Sequence, residues 1–351
     1  MIKDKNDILK SYKELELTEY GDFIIKKELV EKYNPIDFHA HCFVSIASML
    51  PKVFRKQKSD CFDRSFFDLS CFPGKIKNFD FEKVGYRCWP DTTLSWGGIR
   101  CLSELAALEG VIPLIQNASL ERVIRDMKQN HIQQMVLLPI QGVDGSETEN
   151  LLELTKNNQE FIFFGSINPN EVQVKGKVER YLDMGVKGFK LNPHIWKIDF
   201  DDKRVINLLG YLSETGKPII SCSGIAIPNS FRRLPKSVVK NMDTQEISKF
   251  IRVLKSIPSL KLIFGHSGLE QNDELIEVMR QYPNTYADIS TQPSQNVRRM
   301  INSVGAERLM FGSDYPFFNQ AFPMLSVLKA TADETERTDI FSTNAKRLLN
   351  I

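Results

Sequence analysis

From about residue 134 onward, short apolar, β-rich runs alternate with longer segments of helical period, and this rhythm constrains the fold more than any other feature of the chain. The runs are QMVLLPI (134–140), FIFFGSINP (161–169), VKGFKLNP (186–193), KPIISCSG (217–224), LKLIFGHSG (260–268), NTYADIST (284–291) and RLMFGSDYP (308–316). An eighth lies earlier, in NPIDFHAHCF (34–43), where an apolar approach ends in two histidines. Helix-compatible stretches such as LERVIRDMKQN, VERYLDMG and ELIEVMRQY lie between them. Consecutive βα units build a parallel sheet. Eight of them predict a closed (β/α)8 TIM barrel. Right-handed crossovers bring every strand to its C-terminal end on the same face.

The first two strands are about ninety residues apart, far more than an ordinary βα loop, so the pattern predicts an insertion over that end of the barrel. Residues 45–120, rich in Phe, Arg, Trp and Cys, read as this inserted lid or subdomain within a barrel domain spanning 34–351. Loops of such length are usually functional, but a purely structural cap has the same length signature. Residues 1–33 read as a short N-terminal extension, a helix followed by a turn or hairpin placed to plug the barrel bottom.

Partners of macromolecular size are not indicated. The 46 basic and 44 acidic residues give a net charge of +2 and are spread along the chain. No overall field draws nucleic acid or a membrane surface. The charged N-terminus lacks the apolar stretch of a secretory signal and no run of about 18 apolar residues occurs, so the expectation is a cytoplasmic chain. The six cysteines (Cys42, Cys61, Cys71, Cys88, Cys101 and Cys222) show no CxxC pairing. They form neither a disulfide framework nor a zinc knuckle pattern.

Four of the five histidines fall at the C-terminal ends of predicted strands: His39, His41, His194 and His266. The fifth, His131, sits in DMKQNHIQQM as a solvated or helix-end residue. His39 and His41 are spaced i, i+2, which on a strand puts both rings on one face, here the barrel interior. Alone, such a pair fits a metal site and a pair of hydrogen-bonded histidines equally well. Asp314 in FGSDYP and His266 in FGHSG end apolar strands in the same way. A buried carboxylate or imidazole without a partner costs several kcal/mol. A shared divalent metal would offset that cost, and the expectation is one site gathering His39, His41, His266 and Asp314.

These elements together resemble the amidohydrolase superfamily, in particular its amidohydrolase-related branch of hydrolases, decarboxylases and lactonases. The motifs carrying the resemblance are DFHAH, GFKLNP, KPIISCSG, LIFGHSG, LMFGSDYP and TNAKRLL, in that order over residues 34–351. The resemblance implies that His39 and His41 ligate a divalent metal, usually zinc, and that Asp314 binds it or takes a proton from its water. It gives His266 the task of polarising the substrate carbonyl or binding a second metal. At strand five the family commonly has a metal-binding histidine, and this chain has Cys222. A thiolate is a good zinc ligand, so Cys222 either replaces the histidine or is a buried thiol, with His194 or a water in its place. Lys190 matches the strand-four lysine that is carboxylated in two-metal members; its alternatives are a cation gripping an anionic substrate, or a lysine snorkelling to the rim. Without the fifth-strand histidine a second metal is under-ligated, so one zinc is expected.

The activity that follows is a metal-dependent hydrolase acting on a small amide, lactone or ester through metal-activated water, with Asp314 as proton carrier and His266 stabilising the oxyanion. The alternative is a decarboxylase or hydratase of a small carboxylic acid, whose carboxylate Arg232 and Arg233 could receive unless they are merely solvated; the expected substrate contacts in general are Lys190, His194 and Arg232. A catalytically silent binding barrel is the third. A homodimer is a family-level expectation only.

Overall fold

The computed structural model describes residues 5–19, 21–43, 119–141, 147–225 and 244–351. An antiparallel hairpin, β1 (Leu15–Leu17) and β2 (Phe23–Ile25), comes first. Eight further strands follow: β3 (Ile36–Ala40), β4 (Gln134–Leu137), β5 (Phe161–Ser166), β6 (Gly188–Leu191), β7 (Ile219–Cys222), β8 (Leu262–Gly265), β9 (Thr285–Asp288) and β10 (Leu309–Met310). Each of the eight predicted runs contains one of them. They pair in parallel, in chain order, from β3 to β10. Hydrogen bonds then join the last strand to the first: Phe38 N–H donates to Phe311 O at 2.8 Å and Asp314 N–H to His39 O at 2.7 Å. The result is the predicted TIM barrel.

Side-chain alternation divides the core in two. Ile36, Phe38, Val136, Leu138, Ile162, Phe164, Ile220, Ile263 and Met310 fill the barrel interior, where Ala345 and Leu349 of the C-terminal helix Asn344–Leu349 join them. The opposite strand faces, including Met135, Phe189, Ile219, Leu262 and Leu309, pack under the surrounding helices. Each large apolar side chain so buried contributes roughly 1.5–3 kcal/mol. The helices carry matching signals: Leu120–Gln129 is capped by Ser119, whose Oγ accepts from Arg122 N–H, and it buries Val123 and Met127 one turn apart.

The N-terminal extension does not plug the barrel. Phe23 packs against Phe322 with ring centroids 5.5 Å apart, and Asn319 Nδ2 donates to Phe23 O at 2.8 Å. The hairpin therefore lies beside the helix Ala321–Ala330 on the barrel's flank, and the short C-terminal helix closes the interior instead. The predicted insertion lies outside the described residues over 45–118, as do Cys61, Cys71, Cys88 and Cys101. Cys42 is a buried thiol in no disulfide, pushed up to about 12 by burial. His131 follows the helix Leu120–Gln129 and is half-buried, as expected of a helix-end residue. Among the described residues, no helix is long and apolar enough to cross a membrane.

Candidate metal centre

The first strand reaches the site through an irregularity. Ile36 and Phe38 belong to the inner core, whereas Ala40 and Cys42 belong to the outer one. The pairing with β4 shifts register between Asp37 and Ala40. A bulge of this kind re-aims side chains, and here it brings the odd-numbered His39 and His41 inward above Phe38. Asp37, left buried behind the strand, accepts from Ser313 N–H at 2.9 Å and Ser313 Oγ at 2.5 Å. That contact ties β3 to the loop carrying Asp314. Burial drives the Asp37 carboxyl up to about 7 despite these donors. Gly312 is required by the same crowding, since a Cβ there would stand 2.9 Å from His39 Cβ and 3.1 Å from Asp288 Oδ1.

Four strand ends meet above the inner core. His39 Nε2 lies 3.7 Å and His41 Nε2 3.5 Å from Asp314 Oδ1. The His266 ring stacks on that of His39 at 4.5 Å between centroids, and its Nδ1 is 3.9 Å from Asp314 Oδ2. Two donor groups result, His39–His41–Asp314 and His39–Cys222–His266, each with its ligand atoms within 4.8 Å of one another. His266 and Asp314 both adopt left-handed backbone conformations, with φ of 61° and 60°. Such conformations cost about 1 kcal/mol or more in a non-glycine residue and cluster at functional sites.

Each imidazole is held in one tautomer from outside the cluster. His41 Nδ1–H donates to Leu138 O at 2.7 Å, and His39 Nδ1–H to Asp288 Oδ2 at 2.9 Å. Ser290 Oγ donates to Asp288 Oδ1, so its lone pair accepts the Nδ1–H of His266 at 2.8 Å. Nδ1 of each ring is thereby engaged, which leaves Nε2 as the ligand atom. Burial, reinforced by the Lys190 charge and His41, holds His39 well below the usual imidazole range. Burial likewise takes His266 down to about 3, against the opposing charge of Asp314. Neutral rings with a free lone pair are what a divalent cation needs. The 3.5 and 3.7 Å separations also suit neighbouring ligands of one ion, whose tetrahedral edge is about 3.4 Å for bonds of about 2.1 Å. The residues fit a metal.

Lys190 enters from β6 and is completely buried. Its Nζ donates to Cys222 Sγ at 3.2 Å and to His39 Nε2 at 3.3 Å. Among the described residues no carboxylate lies within ion-pair distance of it. Burial raises the Cys222 thiol, with the Lys190 charge opposing. His194 stands farther out, on the short helix Pro193–Trp196, and joins neither donor group. Among the described residues its buried Nδ1 has no hydrogen-bond partner, and burial lowers the ring to about 4. Arg232 lies outside the described residues. Sequence reasoning missed Asp288 and Ser290, although their signal is present: Tyr286, Asp288 and Ser290 alternate along TYADIS, on the face that points inward.

The amidohydrolase family model, of the Amidohydro_2 type, matches residues 133–351, well over half the chain. This chain belongs to that amidohydrolase family. Membership makes it a metal-dependent enzyme of the amidohydrolase superfamily. This amidohydrolase shares its fold with an uncharacterised TIM-barrel protein from Bordetella bronchiseptica, at 20% identity over 90% of this chain and 98% of that one, with a TM-score of 0.60. It is similar to the 5-carboxyvanillate decarboxylase LigW from Sphingomonas paucimobilis, at 15% identity over 91% and 99% of the two chains and a TM-score of 0.57. A 5-carboxyvanillate decarboxylase from Novosphingobium aromaticivorans, complexed with manganese and 4-hydroxy-3-methoxy-5-nitrobenzoic acid, matches at 16% identity over 96% and 100%, with a TM-score of 0.58. At these identities the likeness is one of fold. No curated protein matches the amidohydrolase sequence.

Proposed function

We propose that this amidohydrolase is a metal-dependent decarboxylase of a small, flat carboxylic acid, aromatic or unsaturated. The observation that carries the reading is Lys190: a fully buried amine whose two acceptors, His39 Nε2 and Cys222 Sγ, include no carboxylate. A buried cation without a counter-charge costs several kcal/mol. A carboxylate substrate supplies the missing charge; a neutral amide or lactone does not. The relatives described as 5-carboxyvanillate decarboxylases support the same choice.

In this reading His39, His41 and Asp314 hold one divalent ion, with Cys222 at the strand-five position. A bound ion supplies Lewis acidity, drawing electron density from the substrate oxygens it touches. Lys190 orients the carboxylate, and His194 with its unpartnered Nδ1 faces the substrate's polar edge. During reaction the bond from the substrate carbon to its carboxyl carbon breaks, carbon dioxide leaves, and the electron pair stays on the substrate carbon. That carbon then takes a proton. Asp314, with Oδ1 beside His39 and His41, is the group of the cluster placed to carry that proton.

Hydrolysis of an amide, lactone or ester is the second reading, favoured by the place of Asp314 Oδ1 beside the Nε2 atoms of His39 and His41, where it can take a proton from water. Zinc is the ion expected for either. The deciding experiment incubates the metal-loaded protein with a panel of hydroxylated and methoxylated benzoic acids and, separately, with lactones and amides, and measures released carbon dioxide. Turnover of a neutral ester or lactone with no carbon dioxide from any acid would overturn the decarboxylase reading. Protein that retains no stoichiometric metal when purified without chelator, yet is fully stable, would favour a silent binding barrel.

A further inference from the structure

We infer that Cys222 makes the centre selective for a borderline, sulfur-accepting ion such as Zn2+ or Co2+ at the expense of oxygen-preferring ions such as Mn2+. The inference rests on the metal-centre reading above and deepens it. Cys222 is the last residue of β7 and shares the inward face of that strand with Ile220 of the inner core. Its sulfur lies within 4.8 Å of ligand atoms of both His39 and His266, so it belongs to a three-donor group gathered from the ends of three different strands.

A second observation bears on the direction of the sulfur lone pair. Lys190 Nζ sits 3.2 Å from Cys222 Sγ and 3.3 Å from His39 Nε2, donating to both. The thiol and the imidazole therefore present their lone pairs to one point, and a positive group already occupies the space between them. A divalent ion taking both donors would release Lys190 toward the incoming carboxylate.

The chemistry then follows from ligand softness. Imidazole and carboxylate accept most first-row divalent ions, in the general order that rises from Mn2+ to Cu2+ and falls at Zn2+. Thiolate adds a preference for zinc and its neighbours, with Zn–S bonds of about 2.3 Å. Nitrogen–oxygen sites generally bind Zn2+ more tightly than Mn2+, so a zinc preference by itself says nothing about sulfur. The informative quantity is how the ratio of the two affinities changes when sulfur is removed.

The test uses the full chain, stripped of metal and reloaded with Zn2+, Co2+ or Mn2+ alone, in the wild type and in the Cys222→Ser and Cys222→His variants. Affinities are measured by chelator competition, with circular dichroism and thermal melts confirming that each variant folds. Cys222→Ser should lose at least ~10-fold in Zn2+ affinity while Mn2+ affinity stays within ~3-fold. Cys222→His should recover Zn2+ binding and narrow the gap to Mn2+. The Co2+-loaded wild type should show near-ultraviolet sulfur-to-metal charge-transfer absorption, absent from both variants. Stoichiometric Co2+ binding without that absorption, with an unchanged Zn2+/Mn2+ ratio in Cys222→Ser, would overturn the inference and leave the metal centre intact. Failure of the wild type to bind any of the three ions would overturn the metal centre itself.

Discussion

Asp288 receives the Nδ1–H of His39 at 2.9 Å on the same oxygen, Oδ2, that takes the backbone N–H of His266 at 3.2 Å. Its other oxygen accepts from Ser290, through N–H at 3.0 Å and through Oγ. One fully buried carboxylate thus fixes two of the three imidazoles. Asp288→Asn keeps the shape but replaces one acceptor oxygen with a donor. An amide nitrogen facing His39 would force the proton to Nε2 and occupy the lone pair a metal needs. Metal affinity should fall by about 10- to 100-fold, measured by chelator competition. Unchanged affinity would show that Asp288 has no part in preparing His39.

Much of this is readable in the chain, and each unread part has its own physical reason. All eight barrel strands, and the placing of His39, His41, His266 and Asp314 at their ends, follow from apolar runs that terminate in polar residues. Asp288 escaped because a single aspartate before Ile-Ser-Thr also ends a strand as a turn former. The switch of the inward face between Phe38 and His39 escaped because a bulge leaves no mark in hydrophobic alternation. On sequence alone Lys190 fits a carboxylated metal bridge, a cation gripping an anionic substrate or a lysine reaching the rim, and the full burial that argues against the rim depends on β5 and β7 closing on either side of β6. Cys222 and His194 were rivals for one role on sequence alone. Distances separate them, since only Cys222 joins a donor group.

Lys190 sets stability against function. Removing a buried amine with no carboxylate in ion-pair distance among the described residues, as in Lys190→Met, should stabilise the metal-free protein by about 1–3 kcal/mol, because replacing buried charge with apolar side chains of similar volume is often neutral or stabilising. The same change should abolish carboxylate binding and lower decarboxylation by two orders of magnitude or more. Urea denaturation reads the first effect and carbon dioxide release the second. A destabilised Lys190→Met with full activity would contradict both.

Asp202 gives a pH dependence remote from the site. It caps the helix Lys203–Glu214, its Oδ1 accepting from Arg204 N–H at 2.9 Å and Arg204 Nε–H at 2.8 Å. The Arg204 side chain, with the backbone N–H second, holds the carboxyl down at about 2. A depressed carboxyl stabilises the fold above its unfolded value of about 3.9 and loses that contribution as pH falls toward the folded value. Asp202→Ala should therefore cost about 1 kcal/mol at neutral pH. Its deficit relative to wild type should shrink as pH drops below about 4. Urea melts at pH 7, 4 and 3 check this, and a deficit constant across the series would mean that charge plays no part in the cap.

Tyr315 links the loop of Asp314 to the chain's N-terminal extension. Its hydroxyl donates to Asp126 Oδ2 at 3.0 Å, while its carbonyl accepts the backbone N–H of His41 at 2.7 Å. Burial, with Asp126 next, holds the phenol well above its usual range, so it serves as a neutral donor. Beyond Asp126 lies the buried Arg122, 3.5 Å from Asp126 and 3.7 Å from Asp22 of the N-terminal segment. Tyr315→Phe keeps the ring and the backbone contact to His41 but deprives a buried carboxylate of a donor. The expected cost is about 1–3 kcal/mol. Metal affinity should change far less than in Asp288→Asn, because the imidazoles keep their own acceptors. A double-mutant cycle with Asp126→Asn isolates the pair, and a coupling energy of about 1 kcal/mol or more is expected. Additive effects would place the stabilising role of Tyr315 in its ring packing, and the link from Asp22 through Arg122 and Asp126 would then stop short of the metal loop.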